Sequence, residues 1–319
     1  RHMETVLITG CAGFIGSQLS KTLLQKNSTV IGIDNFNHAY NPKFKKHNIS
    51  ILTKNKNFHF HTIDITQKTA LQKLFKKYSI QKIIHLAARA GIRKSIRYPQ
   101  LYRRVNIEGT KILYSLAQNH DVKQFIFASS SSVYGNSKKI PFQESMQLPT
   151  SPSPYAKSKH DAEKILASLY KKKKIPTTIL RFFSVYGPHG RPDMAPYLFT
   201  QAILNNQTIT QFGDGTSARD YTYISDITNG IVKVLEKVPD FEVYNLGNHY
   251  PVTLNSLIET IEKITKKKMA RKILPPRKEE SEKTWADITK AQNQLSWKPE
   301  VAFESGMKEF ITWFKKNRM

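Results

Sequence analysis

A chain of 319 residues is long enough to bury a large α/β core, and no apolar run in it reaches the ~18–20 residues that cross a membrane. Its 50 Lys and Arg against 24 Asp and Glu give a formal charge of +26, yet no RNA- or DNA-binding motif accompanies that charge, so a solvated basic surface that attracts small anions is expected rather than a nucleic-acid partner. A single cysteine, Cys11, excludes an internal disulfide framework and fits a reducing cytoplasm.

Arg1-His2 ahead of Met3 read as added residues, and Val6-Leu7-Ile8-Thr9 is too short an apolar run for a signal peptide. That run is instead a buried strand, followed by a helix from Phe14 to about Gln25 and a second strand over Val30–Asp34. Phe58–Ile63, Lys82–Ala87, Gln124–Ala128 and Thr177–Phe182 continue the strands, and helices are expected near Gln67–Lys77, Pro99–Asn119 and Pro154–Lys172. In the last of these, Ala162, Ile165, Leu166 and Leu169 form one apolar stripe. Apolar strands alternating with helices predict an α/β fold with a doubly wound parallel Rossmann sheet.

After Phe182 the pattern loosens. Gly187-Pro188, Gly190, Pro192 and Pro196 mark a loop, Tyr197–Asn205 a helix and Phe212-Gly213-Asp214-Gly215 a turn. Ile224–Glu236 reads as helix, Val243–Leu246 as strand, Leu254–Lys266 as helix, and a basic loop around Pro275-Pro276-Arg277 precedes a last helix, Glu304–Lys316. The lysine runs Lys171–Lys174 and Lys266–Lys268 fall at helix ends, where cations suit the dipole. No repeat or low-complexity linker separates the parts, which implies a smaller C-terminal substrate lobe interwoven with the sheet domain. The expected division is residues 1–180 plus 220–247 for dinucleotide binding and 181–219 plus 248–319 for the substrate.

Gly10-Cys11-Ala12-Gly13-Phe14-Ile15-Gly16 links the first strand to the first helix. Glycines there let a pyrophosphate approach the helix N-terminus, where unpaired N–H groups and the dipole favour anions. Asp34 ends the second strand 18 residues beyond Gly16, and a carboxylate at that place accepts both ribose hydroxyls and repels a 2′-phosphate. With Asn35 beside it and no Arg or Lys before Lys43, NAD is expected over NADP. Asp64-Ile65, Leu86-Ala87-Ala88 and Asn106 join the cofactor set, the first two from the carboxyl ends of strands, where the ligand crevice of such a sheet lies. No metal is expected.

Tyr155 and Lys159 stand four residues apart, 25 and 29 positions after Ser130. A phenol titrates near ~10 and is a poor base at neutral pH. A lysine one helical turn away and an oxidised nicotinamide both favour its phenolate. Lys159 also reaches the nicotinamide ribose, and Ser130 can hydrogen-bond the reacting hydroxyl. The combination removes a proton from an alcohol while a nicotinamide accepts its hydride.

These residues resemble the extended short-chain dehydrogenase/reductase family, and within it the nucleotide-sugar epimerases that act on UDP-glucuronate. The resemblance runs from Val6 to about Trp313 and is most specific in Arg181-Phe182-Phe183-Ser184-Val185-Tyr186-Gly187-Pro188-His189-Gly190-Arg191-Pro192-Asp193-Met194-Ala195. Ala87-Ala88-Arg89-Ala90-Gly91-Ile92-Arg93, Ser131-Ser132-Val133-Tyr134-Gly135 and Gly215-Thr216-Ser217-Ala218-Arg219-Asp220-Tyr221-Thr222-Tyr223-Ile224-Ser225-Asp226 are also similar. The resemblance implies that Arg219 and Arg277 bind the UDP diphosphate and that the protein is a homodimer paired through Pro99–Asn119 and Pro154–Lys172. Two departures stand out: Glu279-Glu280 replace the usual Gly-Asp pair, and Arg89 replaces a frequent glutamine.

Relatives that dehydrate or decarboxylate the sugar carry a carboxylate in the segment where Ser131 and Ser132 stand, and serines are poor general bases. Their presence favours simple C4 epimerisation of UDP-glucuronate to UDP-galacturonate through a 4-keto sugar. The alternative is a UDP-hexose or UDP-N-acetylhexosamine substrate. A C4 ketone beside the C5 carboxylate is a β-keto acid and tends to lose CO2. Arg191, with Ser131, Ser132 and Ser184 as hydrogen-bond donors, is expected to hold the carboxylate out of the alignment that permits loss.

Overall fold

The structure, a computed structural model, describes residues 4–277 and 282–319. In chain order its elements begin with β1 (Thr5–Thr9), α1 (Phe14–Gln25), β2 (Thr29–Asp34), α2 (Pro42–Leu52), β3 (Phe58–Thr62), α3 (Lys68–Lys77) and β4 (Lys82–His85). Next come α4 (Ile92–Arg97), α5 (Pro99–Tyr102), a π-helical stretch Arg103–Gly109, α6 (Thr110–Asn119), β5 (Gln124–Ser130), a 3₁₀ turn Ser131–Tyr134, α7 (Pro154–Lys172) and β6 (Thr177–Phe182). The remainder is β7 (Ser184–Tyr186), α8 (Ala195–Leu204), β8 (Ile209–Phe212), β9 (Ala218–Tyr223), α9 (Ile224–Lys237), β10 (Phe241–Leu246), β11 (Pro251–Thr253), α10 (Leu254–Thr265), β12 (Arg271–Leu274), α11 (Thr289–Leu295) and α12 (Phe303–Arg318).

The described residues divide into two compact units. The first takes the chain up to Gly135, Thr150–Arg181 and Ile231–Tyr244; the second takes Asn136–Pro149, Phe182–Gly230 and the chain from Asn245. Seven strands in the order β10-β6-β5-β4-β1-β2-β3 make the sheet, and the ladders from β3 through β2, β1 and β4 to β5 are parallel. This is the doubly wound order, and the direction of winding reverses between β1 and β4, which opens a crevice at their carboxyl ends. Leu7, Ile31, Ile83, Phe125 and Ile179 of the strands pack with Leu71, Leu74, Leu113, Ala162 and Leu166 of α3, α6 and α7 in one continuous core. Of the α7 stripe, Ala162 and Leu166 are buried in this core and Leu169 packs against it partly buried, while Ile165 is half-buried outside it.

Local chemistry sets the helix ends. Ser153 caps α7 by accepting the Ala156 N–H at 3.1 Å, Pro154 stands at the first turn, and Lys171 and Lys172 fall in the last. The single helix expected over Pro99–Asn119 is not continuous. Gly109 packs against Ile65, the Thr110 hydroxyl bonds back to the Asn106 carbonyl at 2.7 Å, and the backbone widens to a π-helix over Arg103–Gly109.

In the second unit, β11, β9 and β7 form one small sheet and β12 pairs with β8 in another. Tyr186, Tyr197, Tyr221, Tyr223, Phe310 and Phe314 are buried together with Phe303 against them. The Asp220 carboxylate, fully buried, accepts the N–H groups of Asn248, His249 and Ala286 and so ties β9 to two loops. Burial pushes its pKa up to about 6 against the pull of those donors.

Candidate active site

The glycine loop folds as its spacing implies. Gly10 has φ +70, and a Cβ there would lie 2.9 Å from the Ala87 nitrogen, so the loop rests directly on the end of β4. A Cβ on Gly16 would lie 2.1 Å from the Gly10 carbonyl oxygen, a distance no side chain tolerates. Gly13 caps α1, which has no side-chain cap and no acidic residue in its first turn, so Phe14, Ile15 and Gly16 present a helix N-terminus that its own side chains leave uncapped. These features fit a pyrophosphate.

Asp34 is buried at the end of β2. It accepts the Phe36 N–H at 2.8 Å and the Ala12 N–H at 3.3 Å. The Lys45 ammonium, equally buried, stands 3.6 Å from it and over the Tyr40 ring. Sequence distance placed no cation near Asp34, but α2 returns Lys45 to it and sends the Asn48 amide to the Ala12 carbonyl at 3.0 Å. The Asn41-Pro42 pair that caps α2 was the available signal; its charged, non-periodic sequence concealed the helix.

Asn35 donates to Asp64 at 2.7 Å, and Thr66 donates to Asp64 through both backbone and hydroxyl. Partial burial raises the Asp64 pKa, and these donors more than offset it, leaving the pKa below the ordinary value. Ile65 is buried under Gly109. Leu86 donates its N–H to the Thr9 carbonyl and Ala87 donates to the Thr9 hydroxyl, with Ala88 next in the same segment. Asn106, buried, bonds both backbone groups of Arg89 and donates to the Ser158 hydroxyl, which in turn donates to the Tyr155 carbonyl.

A buried imidazole joins these pieces. His85 Nδ1 lies 2.7 Å from the Thr9 hydroxyl and Nε2 lies 2.9 Å from the Thr110 hydroxyl. Complete burial, with the nearby Lys159 charge, draws its pKa down to about 3, so it is neutral.

Tyr155 sits in the first turn of α7, half-buried, with the Tyr102 ring edge-on at 6.2 Å. Tyr102 is itself fixed by its hydroxyl, which donates to the Ala90 carbonyl at 2.7 Å. Lys159 is buried one turn on. Its Nζ donates to the Ala128 carbonyl at 2.7 Å and lies over the Phe127 ring. Burial lowers the Lys159 pKa to about 7, with Glu163 acting in the opposite direction. Ser130 ends β5 and accepts the Ser132 N–H at 3.1 Å. Ser131 opens the 3₁₀ turn, and the Ser132 hydroxyl is shielded from solvent with no hydrogen-bond partner among the described residues.

Ser184, Arg191, Arg219 and Arg277 belong to the second unit. Ser184 is on β7, in register with Tyr221. Arg191 gives its Nε and one terminal nitrogen to Asp193 at 3.0 and 2.5 Å, a fork the sequence reading did not foresee. Arg219 donates to the Ala218 carbonyl at 2.9 Å, and the Arg277 guanidinium lies 3.4 Å above the Phe212 ring. Glu279-Glu280 lie outside the described residues.

The GDP-mannose 4,6 dehydratase family model matches residues 7–310. A UDP-glucuronate 4-epimerase of Thermodesulfobacterium geofontis is 41% identical over 316 residues, which is 99% of this chain and 97% of that protein. The crystal structure of UDP-glucuronic acid 4-epimerase from Bacillus cereus, in complex with UDP-glucuronic acid and NAD, superposes with TM-score 0.93 at 37% identity over 98% of this chain and 99% of that one. A UDP-glucose 4-epimerase of Thermotoga maritima with UDP-glucose gives TM-score 0.91 at 31% identity, covering 99% of this chain and 100% of that one. On these matches the chain belongs to the GDP-mannose 4,6 dehydratase family and, within it, to the nucleotide-sugar epimerases of the extended short-chain dehydrogenases/reductases.

Proposed function

We propose that this protein interconverts UDP-glucuronate and UDP-galacturonate at C4, with NAD as its resident cofactor. The observation that carries the proposal is the Tyr155–Lys159–Ser130 set beside Ser131 and Ser132, a segment that offers no carboxylate for dehydration or decarboxylation. The higher identity to UDP-glucuronate 4-epimerases, 41% and 37%, than to the UDP-glucose 4-epimerase, 31%, supports the uronate.

Gly10, Gly13, Phe14, Ile15 and Gly16 would hold the pyrophosphate of NAD and Asp34 with Asn35 its adenine ribose. Asp64, Ile65, Leu86, Ala87, Ala88 and Asn106 would line the remainder. When bound, NAD supplies a reversible hydride acceptor. Tyr155 takes the proton of the C4 hydroxyl and later returns it to the ketone oxygen. Lys159 stabilises the phenolate and holds the nicotinamide ribose. Ser130 would orient that hydroxyl, and a hydride acceptor that is reversible would permit return to either face of the ketone. Ser131 and the unpartnered Ser132 hydroxyl would donate to the sugar. In the second unit Arg219 and Arg277 are assigned to the diphosphate, and Arg191 with Ser184 to the C5 carboxylate.

By family resemblance we place the enzyme in the cytoplasm, as a homodimer that supplies polysaccharide precursors. The decisive experiment incubates purified protein with UDP-glucuronate or UDP-glucose and follows the anomeric protons by NMR. Conversion of the uronate, lost by about 10²–10⁴-fold in Tyr155→Phe, is expected. Turnover of UDP-glucose alone would assign a neutral hexose instead, and turnover of neither would exclude the uronate and the UDP-glucose readings.

A further inference from the structure

Behind the acid–base pair lies a buried ionic network that the proposed reaction does not itself use. Glu163 follows Lys159 by four residues on α7, so both side chains share one helix face, and both are buried. The Glu163 carboxylate accepts Nε and a terminal nitrogen of Arg181 on β6, at 3.1 and 2.7 Å. It also accepts the Ser129 hydroxyl on β5 at 2.5 Å. Arg181 gives its other terminal nitrogen to the Tyr134 hydroxyl at 3.0 Å and lies over that ring.

Such a network is a poor device for stability alone. Apolar residues of similar volume commonly stabilise a core as well as a buried ion pair does. Its placement is what matters. Ser129 adjoins Ser130, Glu163 stands one turn below Lys159, and Tyr134 closes the turn that carries Ser131 and Ser132. Among the described residues around Lys159, β5 offers the Ala128 carbonyl and the Phe127 ring, β4 offers the neutral His85, and α7 offers Tyr155 and Glu163. Arg181 from β6 and Tyr134 act on it through Glu163.

We infer that Glu163 is a positioning residue for the acid–base pair: held by Arg181 and Ser129, its carboxylate keeps the Lys159 ammonium charged and locks the Ser129–Ser130 strand end to α7. This deepens the reading of Tyr155 and Lys159 as the acid–base group and rests on it. Burial already brings the Lys159 pKa to about 7, and Glu163 is the carboxylate that opposes the fall. Without that charge Lys159 becomes neutral at lower pH, and Tyr155 loses the cation that favours its phenolate.

The test uses the full-length protein with its cofactor, carrying carbon-labelled lysine. NMR titration reads the Lys159 midpoint, and initial rates give kcat and KM against pH. Glu163→Gln is expected to lower the Lys159 midpoint by about one pH unit, a tenfold change in proton affinity. The alkaline limb of kcat should move with it while KM stays unchanged. Glu163→Gln/Arg181→Gln, which avoids an orphaned arginine, should move the midpoint in the same direction. Ser129→Ala keeps the charge and should leave the midpoint in place. An unmoved midpoint in either glutamine protein, or the failure of both to fold, would overturn the inference and leave the network a structural one. The NMR midpoint needs no substrate, so it stands apart from any failure of the proposed epimerase activity.

Discussion

At the scale of single residues, the chemistry rests on charges held where water is scarce. Lys159 is the clearest case: an ammonium among a carbonyl, an aromatic face and a neutral imidazole, with one carboxylate sustaining it. Arg191 shows the opposite economy, because its fork is already engaged by Asp193 on the same loop. A substrate carboxylate must share or displace that partner. If Arg191 restrains the β-keto acid, Arg191→Gln should weaken uronate binding by about 10- to 100-fold, matching the ~1.5–3 kcal/mol of a hydrogen bond to a charged group. UDP-pentose and CO2 should then appear among the products. Unchanged affinity with no CO2, measured by binding titration and chromatography of the products, would remove Arg191 from the carboxylate site.

At the scale of elements, His85 couples β1, β4 and α6 through two threonine hydroxyls. Its folded pKa of about 3 lies below the ordinary 6.5, so the unfolded chain takes up the proton more readily than the folded one. The stability it contributes is full above pH 6.5 and is lost as pH falls toward 3, at ~1.4 kcal/mol per pH unit for one proton. In His85→Gln the absolute stability should fall, and the acid-side slope of unfolding free energy against pH should flatten. Denaturant titrations across that window measure both. An unchanged slope would show that the imidazole is not the group that titrates. The same chain of bonds passes from Thr110 through Asn106 to Ser158 and the Tyr155 carbonyl, so the π-helical break serves the registration of α7.

For the molecule as a whole, a formal charge of +26 accompanies a site proposed for a multiply anionic nucleotide sugar. Long-range attraction of that kind is screened beyond ~8–10 Å at ~0.1–0.15 M salt. Thus kcat/KM for UDP-glucuronate should fall as sodium chloride is raised through that range, while kcat stays level. Initial-rate series at fixed pH decide it, and a flat kcat/KM would make the basic surface irrelevant to capture. Among the described residues no helix is long and apolar enough to cross a membrane.

The sequence by itself determined the sheet strands, the glycine loop, Asp34 at the end of β2 and the Tyr155–Lys159 spacing, because each is local: a contiguous apolar run, a turn that tolerates only glycine, or one helical turn. Only the tertiary structure decided that α2 brings Lys45 to Asp34 and that the long helix before β5 opens into a π-helix at Asn106. The same holds for His85 between two threonines and for Glu163 gathering Arg181 and Ser129 beneath Lys159. Periodicity reports which face of an element is buried, not which polar groups from distant segments meet there. Those partners are selected by the cost of leaving a buried charge or hydrogen bond unsatisfied, and that cost exists only once the chain has closed around them.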